Sequence, residues 1–304
     1  MLLSKKQGSL LCLLIIAFSF FVCAQKKHDK RLDELVKQTI ANFQGDVGVY
    51  IKNLRTQAEL SINGDTIFPT ASIVKVPILL GIMDKIERGE LTYDQPLQYK
   101  DSLLYEGEDI LGSFKSGEMI LLKKVLMLML TTSDNTASLW LQSLAGTGTR
   151  INQILDSLNF KATRVNSRTP GREANRSVYG WGQTTPREMG KLFERIYTNQ
   201  VFSPPACDRM MRSLSRNFWD VDEGISQLPP YVSVFSKNGC VDESRSEVML
   251  VNAPGNPYIL CVFTKNNRDT TWQHSNEAWT MTRKLSGAVW KYFMPHDHWE
   301  PPAR

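Results

Sequence analysis

The chain has 304 residues, 42% of them hydrophobic and 22% charged, with a formal net charge of +5. That length is too great for one small domain and too short for three, and the composition supplies a sizeable core and excludes disorder as the ground state. A charge this small, on dispersed basic residues, excludes nucleic acid as the partner the composition calls for.

The first two dozen residues read as a leader. Lys5 and Lys6 precede the continuous apolar run 10–22, and Val22 and Ala24 are small residues at the spacing a signal peptidase reads. Cleavage is expected after Ala24, with export to the periplasm and no membrane span left, since the run is short for one. Lipoprotein anchoring through Cys23 is the alternative, with Phe21 and Val22 a poor approach to such a site. Removal of 1–24 takes away two lysines and no acids, so the net charge falls to +3. Cys207, Cys240 and Cys261 remain. One disulfide is possible, but three cysteines do not make a disulfide scaffold.

Residues 29–44 place Leu32, Val36, Ile40 and Phe43 three or four apart, with Leu35 beside them, which predicts an amphipathic helix. The segments 46–54 and 58–64 predict a strand pair with the polar Arg-Thr-Gln turn between them. An apolar helix follows Ser72 and ends near Gly89. From about 90 to 225 the pattern is mainly helical, with buried helices at 121–130 and 135–146 and another at 186–199. Strands return at 231–237, 246–253 and 258–265. A last helix covers about 276–293, with Trp279, Leu285, Val289 and Trp290 for its buried side. The expected fold is α+β: an antiparallel sheet flanked by N- and C-terminal helices, with an all-helical lobe inserted. The α/β lobe takes about 29–89 and 226–293 and the helical lobe about 90–225, together one unit over 25–304.

Three short stretches offer chemistry. In PTASIVKVPILLG (69–81), Ser72 and Lys75 lie one turn apart at a helix start. Serine is a weak nucleophile until a base takes its proton, and a lysine can serve; the plain alternative is that Ser72 caps the helix. In TTSDNTASLWL (131–141), Ser133 fits a helix cap, or its hydroxyl relays a proton to a leaving group while the Asn135 amide meets substrate. In SKNGC (236–240), which closes a predicted strand, Lys237 would hold a substrate carboxylate and Gly239 would let backbone approach. An edge lysine that guards against aggregation is the alternative for Lys237.

The three stretches in this order, on helix start, helix cap and strand end, form the serine penicillin-recognising signature with one substitution. The chain resembles the class A β-lactamase and penicillin-binding-protein superfamily from about residue 30 to 293. TTPREMGKLFERI (184–196), ILGSFKSGE (110–118) and SRSEVMLV (244–251) add to the likeness. The resemblance implies attack by Ser72 on an amide or ester carbonyl, with Lys75 as base and the backbone N–H groups of Ser72 and Cys240 around the oxyanion. It gives Ser133 and Lys237 the proton and the carboxylate of the leaving side. The four histidines, His28, His274, His296 and His298, lie outside these motifs, so neither a serine–histidine triad nor a metal site is expected.

The resemblance breaks in two places. Class A enzymes carry a glutamate, usually within Glu-x-x-Leu-Asn, on the loop before the Thr-Thr-Pro helix. Here residues 164–186 hold one acid, Glu173, followed by Ala174 and Asn175. It is either the deacylating group or a surface residue. The third motif has Asn238 where the family has Thr or Ser, and its amide donates with a different reach. Arg245 would help bind a carboxylate or be a solvated charge in a turn. The expected protein is a monomeric serine hydrolase of the class A β-lactamase type, acting on a β-lactam or peptide-like substrate without cofactor or metal. The alternatives are a D,D-peptidase or esterase that β-lactams acylate without efficient turnover, and a non-catalytic periplasmic binding module.

Overall fold

The computed structural model describes residues 29–302 except 108 and 216. The expected leader, Cys23 and His28 lie outside the described residues.

The N-terminal helix α1 (Lys30–Ile40) starts at Asp29, whose carboxylate accepts the Leu32 N–H, and buries Leu32 and Val36. Then come β1 (Asp46–Asn53), β2 (Glu59–Ile62) and β3 (Phe68–Pro69), a 3-10 turn over Ala71–Val74, and α2 (Lys75–Glu87). All of 75–83 on α2 is buried, so it is a central helix with apolar neighbours on every side. Pro77 sits in its first turn, where no intrahelical N–H is required.

The middle of the chain holds β4 (Pro96–Gln98), β5 (Met119–Leu121), α3 (Leu122–Met127), α4 (Asn135–Leu144), α5 (Thr147–Ser157), β6 (Arg164–Val165), α6 (Glu173–Tyr179), β7 (Gly182–Thr184), α7 (Pro186–Tyr197) and α8 (Pro204–Leu214). Instead of one helix over 121–130, α3 ends early and passes into a π turn, Leu128–Thr132. β3, β7 and β6 form a small antiparallel ribbon, and Thr70 donates its N–H to the Gly182 carbonyl at 2.9 Å. The chain just before Ser72 is thereby tied to the loop that ends at β7. At the start of α7, Thr185 caps the helix through the Glu188 N–H. The Glu188 carboxylate meanwhile accepts the backbone N–H groups of residues 161–163.

The last part forms β8 (Val234–Val241), β9 (Ser244–Val251), β10 (Tyr258–Lys265) and α9 (Glu277–Phe293), capped by Asn276. The main sheet is antiparallel in the order β2-β1-β10-β9-β8. β8 begins later than the pattern predicts, because the Val232 N–H turns back to the Pro229 carbonyl, and it runs through the Ser-Lys-Asn-Gly-Cys stretch instead of closing on it.

Both sheet faces are covered. Val49, Ile51, Met249, Val251, Leu260 and Val262 pack with Leu32, Val36, Leu285 and Trp290 of α1 and α9. Tyr50, Val248, Leu250, Ile259, Cys261 and Phe263 face α2 and the helices of the middle of the chain. That double cover makes β9 buried at every position and its sequence a run without clean alternation. Each such Val, Leu or Ile contributes about 1.5–3 kcal/mol by leaving water. Cys207, Cys240 and Cys261 are free thiols, so no disulfide joins them. No helix among the described residues is long and apolar enough to cross a membrane.

Candidate active site

Ser72 lies in the 3-10 turn that leads into α2, directly after Ala71, whose φ of 41° is in the left-handed region. A non-glycine residue held there costs of order 1–3 kcal/mol and marks a backbone fixed by its surroundings. Ser72 caps neither helix: no side-chain cap bond forms at Thr70 or Val74, and its Oγ accepts a hydrogen bond from Lys75 Nζ at 3.0 Å. Lys75 is fully buried. The same Nζ donates to Ser133 Oγ and Asn135 Oδ1, both at 3.0 Å, and to the Ser133 carbonyl.

Ser133 reaches this amine because the π turn ends on it in the left-handed conformation, φ 64°, and turns both its hydroxyl and its carbonyl inward. The expectation that Ser133 caps the next helix gives way to Asp134. The Asp134 carboxylate accepts the Ala137 N–H at the start of α4 and the N–H groups of Ile110 and Leu111. The three residues divide the work: Asp134 holds the α4 start to the loop at 110–111, leaving Ser133 and Asn135 free to face Lys75.

β8 lies against the turn that carries Ser72. A β-carbon on Gly239 would fall 2.3 Å from the Thr70 carbonyl and 2.9 Å from the backbone nitrogens of Ser72 and Ile73, so only glycine allows this approach. Lys237 is fully buried although β8 is an edge strand, which removes the solvated edge-lysine reading. Its Nζ donates to the Asn238 carbonyl at 2.8 Å and to Asn238 Oδ1 at 3.0 Å. The Asn238 amide in turn donates to Glu223 Oε1 at 2.7 Å.

Glu223, which the sequence analysis does not single out, has only 4% of its surface exposed. Burial pushes its carboxyl up to about 7, against the hydrogen bonds from Asn238 and Cys240 and the charge of Lys237, which pull it down. Beside it Glu247, opposite Asn238 on β9, accepts the Gly224 and Ile225 N–H groups. Burial and the Glu223 charge push it well above the carboxylate range. Cys240 Sγ is 3.6 Å from Glu223 Oε1, and burial pushes that thiol up.

Arg245 is not a solvated charge. It is 1% exposed, with its guanidinium carbon 4.2 Å from the Trp272 ring centroid and 5.0 Å from that of Trp279. It donates to the Ser244 and Thr271 carbonyls. Glu173 is not brought to the cluster. It is exposed at the first position of α6, where its carboxylate accepts the Gly171 N–H at 3.2 Å.

Two cavities meet at Ser72, Asn135 and Cys240. One, of about 560 Å³, continues past Ser133, Asn238 and Glu223 to Phe218, Trp219, Trp272 and Trp279. The other, of about 600 Å³, runs past Tyr105, Val178, Tyr179 and Trp181 to Lys265 and Asn266. A larger open groove of about 890 Å³ between α1 and α9 holds none of the motif residues, so the chemistry belongs to the cleft at Ser72. The four aromatic rings of the first arm are tertiary neighbours from three separate segments; the α9 pattern marks Trp279 as buried, and no local pattern brings the four together. The acidic run Asp220, Asp222 and Glu223 is the local sequence sign of Glu223. Among the described residues no group of His, Cys, Asp and Glu side chains is placed to hold a metal ion. A buried amine within hydrogen-bond reach of each of two hydroxyls can carry acyl transfer with internal proton movement.

Comparison with known proteins places the chain in a family and matches its fold. A family model described as the β-lactamase enzyme family matches residues 29–293. The β-lactamase VEB-1 of Pseudomonas aeruginosa is 22% identical over 295 residues, covering 93% of this chain and 97% of that protein. A mutant of PBP-A, solved as an acyl-enzyme complex with penicillin G, has a TM-score of 0.78 at 22% identity over 89% of this chain and 98% of its own. A β-lactamase from Chitinophaga pinensis has a TM-score of 0.78 at 20% identity, over 86% and 99%.

Proposed function

The chain belongs to the β-lactamase enzyme family and is a β-lactamase-like serine hydrolase, and from that premise we propose that it opens β-lactam rings in the class A manner, through an acyl-enzyme on Ser72. The observation that carries the reading is the placement of Lys75 Nζ at 3.0 Å from both Ser72 Oγ and Ser133 Oγ. Acting as the base, Lys75 takes the proton of the Ser72 hydroxyl while Oγ bonds to the carbonyl carbon. The Ser72 and Cys240 N–H groups hold the oxyanion. When the carbon–nitrogen bond breaks, the proton passes from Lys75 through the Ser133 hydroxyl to the leaving nitrogen. Water then cleaves the ester and restores the serine. Export to the periplasm and a monomeric state belong to the same reading.

The position of Glu173 favours a second reading, a D,D-peptidase or esterase that β-lactams acylate without efficient turnover. That carboxylate lines neither cavity and already accepts the Gly171 N–H. One experiment separates the two: the purified protein is mixed with a chromogenic cephalosporin, and turnover and intact mass are followed together. Sustained hydrolysis with little adduct supports the β-lactamase; one equivalent of lasting adduct supports the peptidase or esterase. No reaction and no adduct overturns both.

A further inference from the structure

One arm of the cleft is walled by rings that the fold leaves open to water. Ser133, which serves the leaving nitrogen in the reading above, lines this arm, so it takes the leaving side of the substrate. Phe218, Trp219 and Trp272 line the same cavity and remain 62%, 42% and 54% exposed. Large apolar surfaces gathered around one cavity and left unburied mark a place where an apolar group binds. The rings are also held in position. On one side the Phe218 N–H donates to the Thr131 carbonyl, and the Trp219 indole N–H to the Thr132 carbonyl, both at 2.9 Å. Both acceptors belong to the π turn that delivers Ser133, and the two rings meet edge to face with centroids 5.0 Å apart. Trp272 is anchored elsewhere: its indole N–H donates to Asp242 Oδ1 at 2.8 Å, in the turn between β8 and β9, and its ring lies against Arg245. The acids in the lining have partners of their own, Glu223 in Asn238 and Asp222 in His274. Rings fixed by hydrogen bonds before anything binds lose little freedom when a group stacks on them, which increases the net gain.

We propose that Phe218, Trp219 and Trp272 determine specificity on the leaving side: the arm selects a β-lactam whose leaving half carries an aromatic or bulky apolar substituent over one with a small substituent there. The proposal rests on acylation of Ser72 as described above. A cavity of about 560 Å³ has room for a phenyl ring beside the reacting atoms. Such a ring leaves water on entering and meets aromatic faces already in place, so the gain is realised without rearrangement of the walls.

The test compares two cephalosporins identical except at C3, which bears methyl in one and benzyl in the other, so that charge and acyl side chain stay constant. The second-order acylation rate constant of the full protein is read from ring-opening absorbance where the enzyme turns over, and from growth of adduct mass where the acyl-enzyme lasts. Fast turnover with little adduct is thereby counted as acylation. The benzyl compound should react about tenfold faster, the gain expected from partly burying one phenyl ring against aromatic walls. In Phe218→Ala and in Trp219→Ala the benzyl-to-methyl ratio should fall by roughly threefold or more. A general loss of activity lowers both rates and leaves that ratio unchanged. A wild-type ratio near 1 overturns the proposal without any variant, and so does a high ratio that both alanine variants keep. Either result, obtained with ring opening or adduct present, leaves the acylation reading standing. Neither ring opening nor adduct with either compound overturns that reading and this proposal with it.

Discussion

Gly239→Ala tests whether the closeness of β8 to the turn at Ser72 matters to the chemistry. The added methyl would stand 2.3 Å from the Thr70 carbonyl oxygen, and 2.9 Å from two backbone nitrogens. An ordinary carbon–oxygen contact of about 3.3 Å lies roughly 1 Å further out. All three atoms are backbone, so no side chain can swing aside. The strand must move away from the turn by about that distance, which opens the gap between Ser72 N and Cys240 N. Misplacement by about 1 Å costs around a hundredfold in rate, and overpacking here should cost about 1–3 kcal/mol of stability. Acylation by a chromogenic cephalosporin, with urea unfolding measured on the same sample, separates the two effects. A Gly239→Ala protein that acylates at the wild-type rate would refute the reasoning, because the oxyanion contacts would then tolerate the shift.

Ser72→Ala should abolish covalent labelling while the far-ultraviolet spectrum stays native; labelling that persists would place the nucleophile elsewhere. Lys75→Ala should slow acylation by about 10²–10⁴, and an unchanged rate measured by mass spectrometry would remove it as the base. Glu223 also links folding to pH. Its folded carboxyl is raised from 4.5 to about 7, so the folded state holds its proton more tightly, and the stabilisation present below pH 4.5 is lost as the pH rises through 7. At about 1.36 kcal/mol for each tenfold step in affinity, that loss is on the order of 3 kcal/mol. Urea unfolding at pH 5 and pH 8 should therefore show a drop that Glu223→Gln reduces, and equal drops in the two proteins would count against it.

Much of the frame could be read from residue order. Leu32 and Val36 announced α1, the run 258–265 is β10 as expected, and Asn276 marks the start of α9. These features depend on local periodicity and caps. The short ribbon β3-β7-β6 could not be read, since two or three residues carry no period. At the site, Ser72, Lys75, Ser133 and Lys237 stand in recognisable stretches. Asp134 and Ser133 are both good caps, and only the packing of residues 110–111 decides between them. The sequence leaves Arg245 open between a carboxylate-binding and a solvated role because Trp272 and Trp279 lie far along the chain, and Glu223 meets Asn238 only once β8 is paired.

The pairing of β1 with β10 has a consequence for how the molecule comes into being. Asp46 faces Lys265 and Asn53 faces Tyr258, so the middle of the sheet joins segments separated by most of the sequence. Closing a loop of that length must precede any reward from the contacts it makes, and topologies of this kind assemble slowly. Ser72 lies near the start of the intervening segment, and Lys237 near its end. Recovery of acylation during refolding is therefore a late event, a clock for the closing of the whole sheet and not for the formation of any one helix.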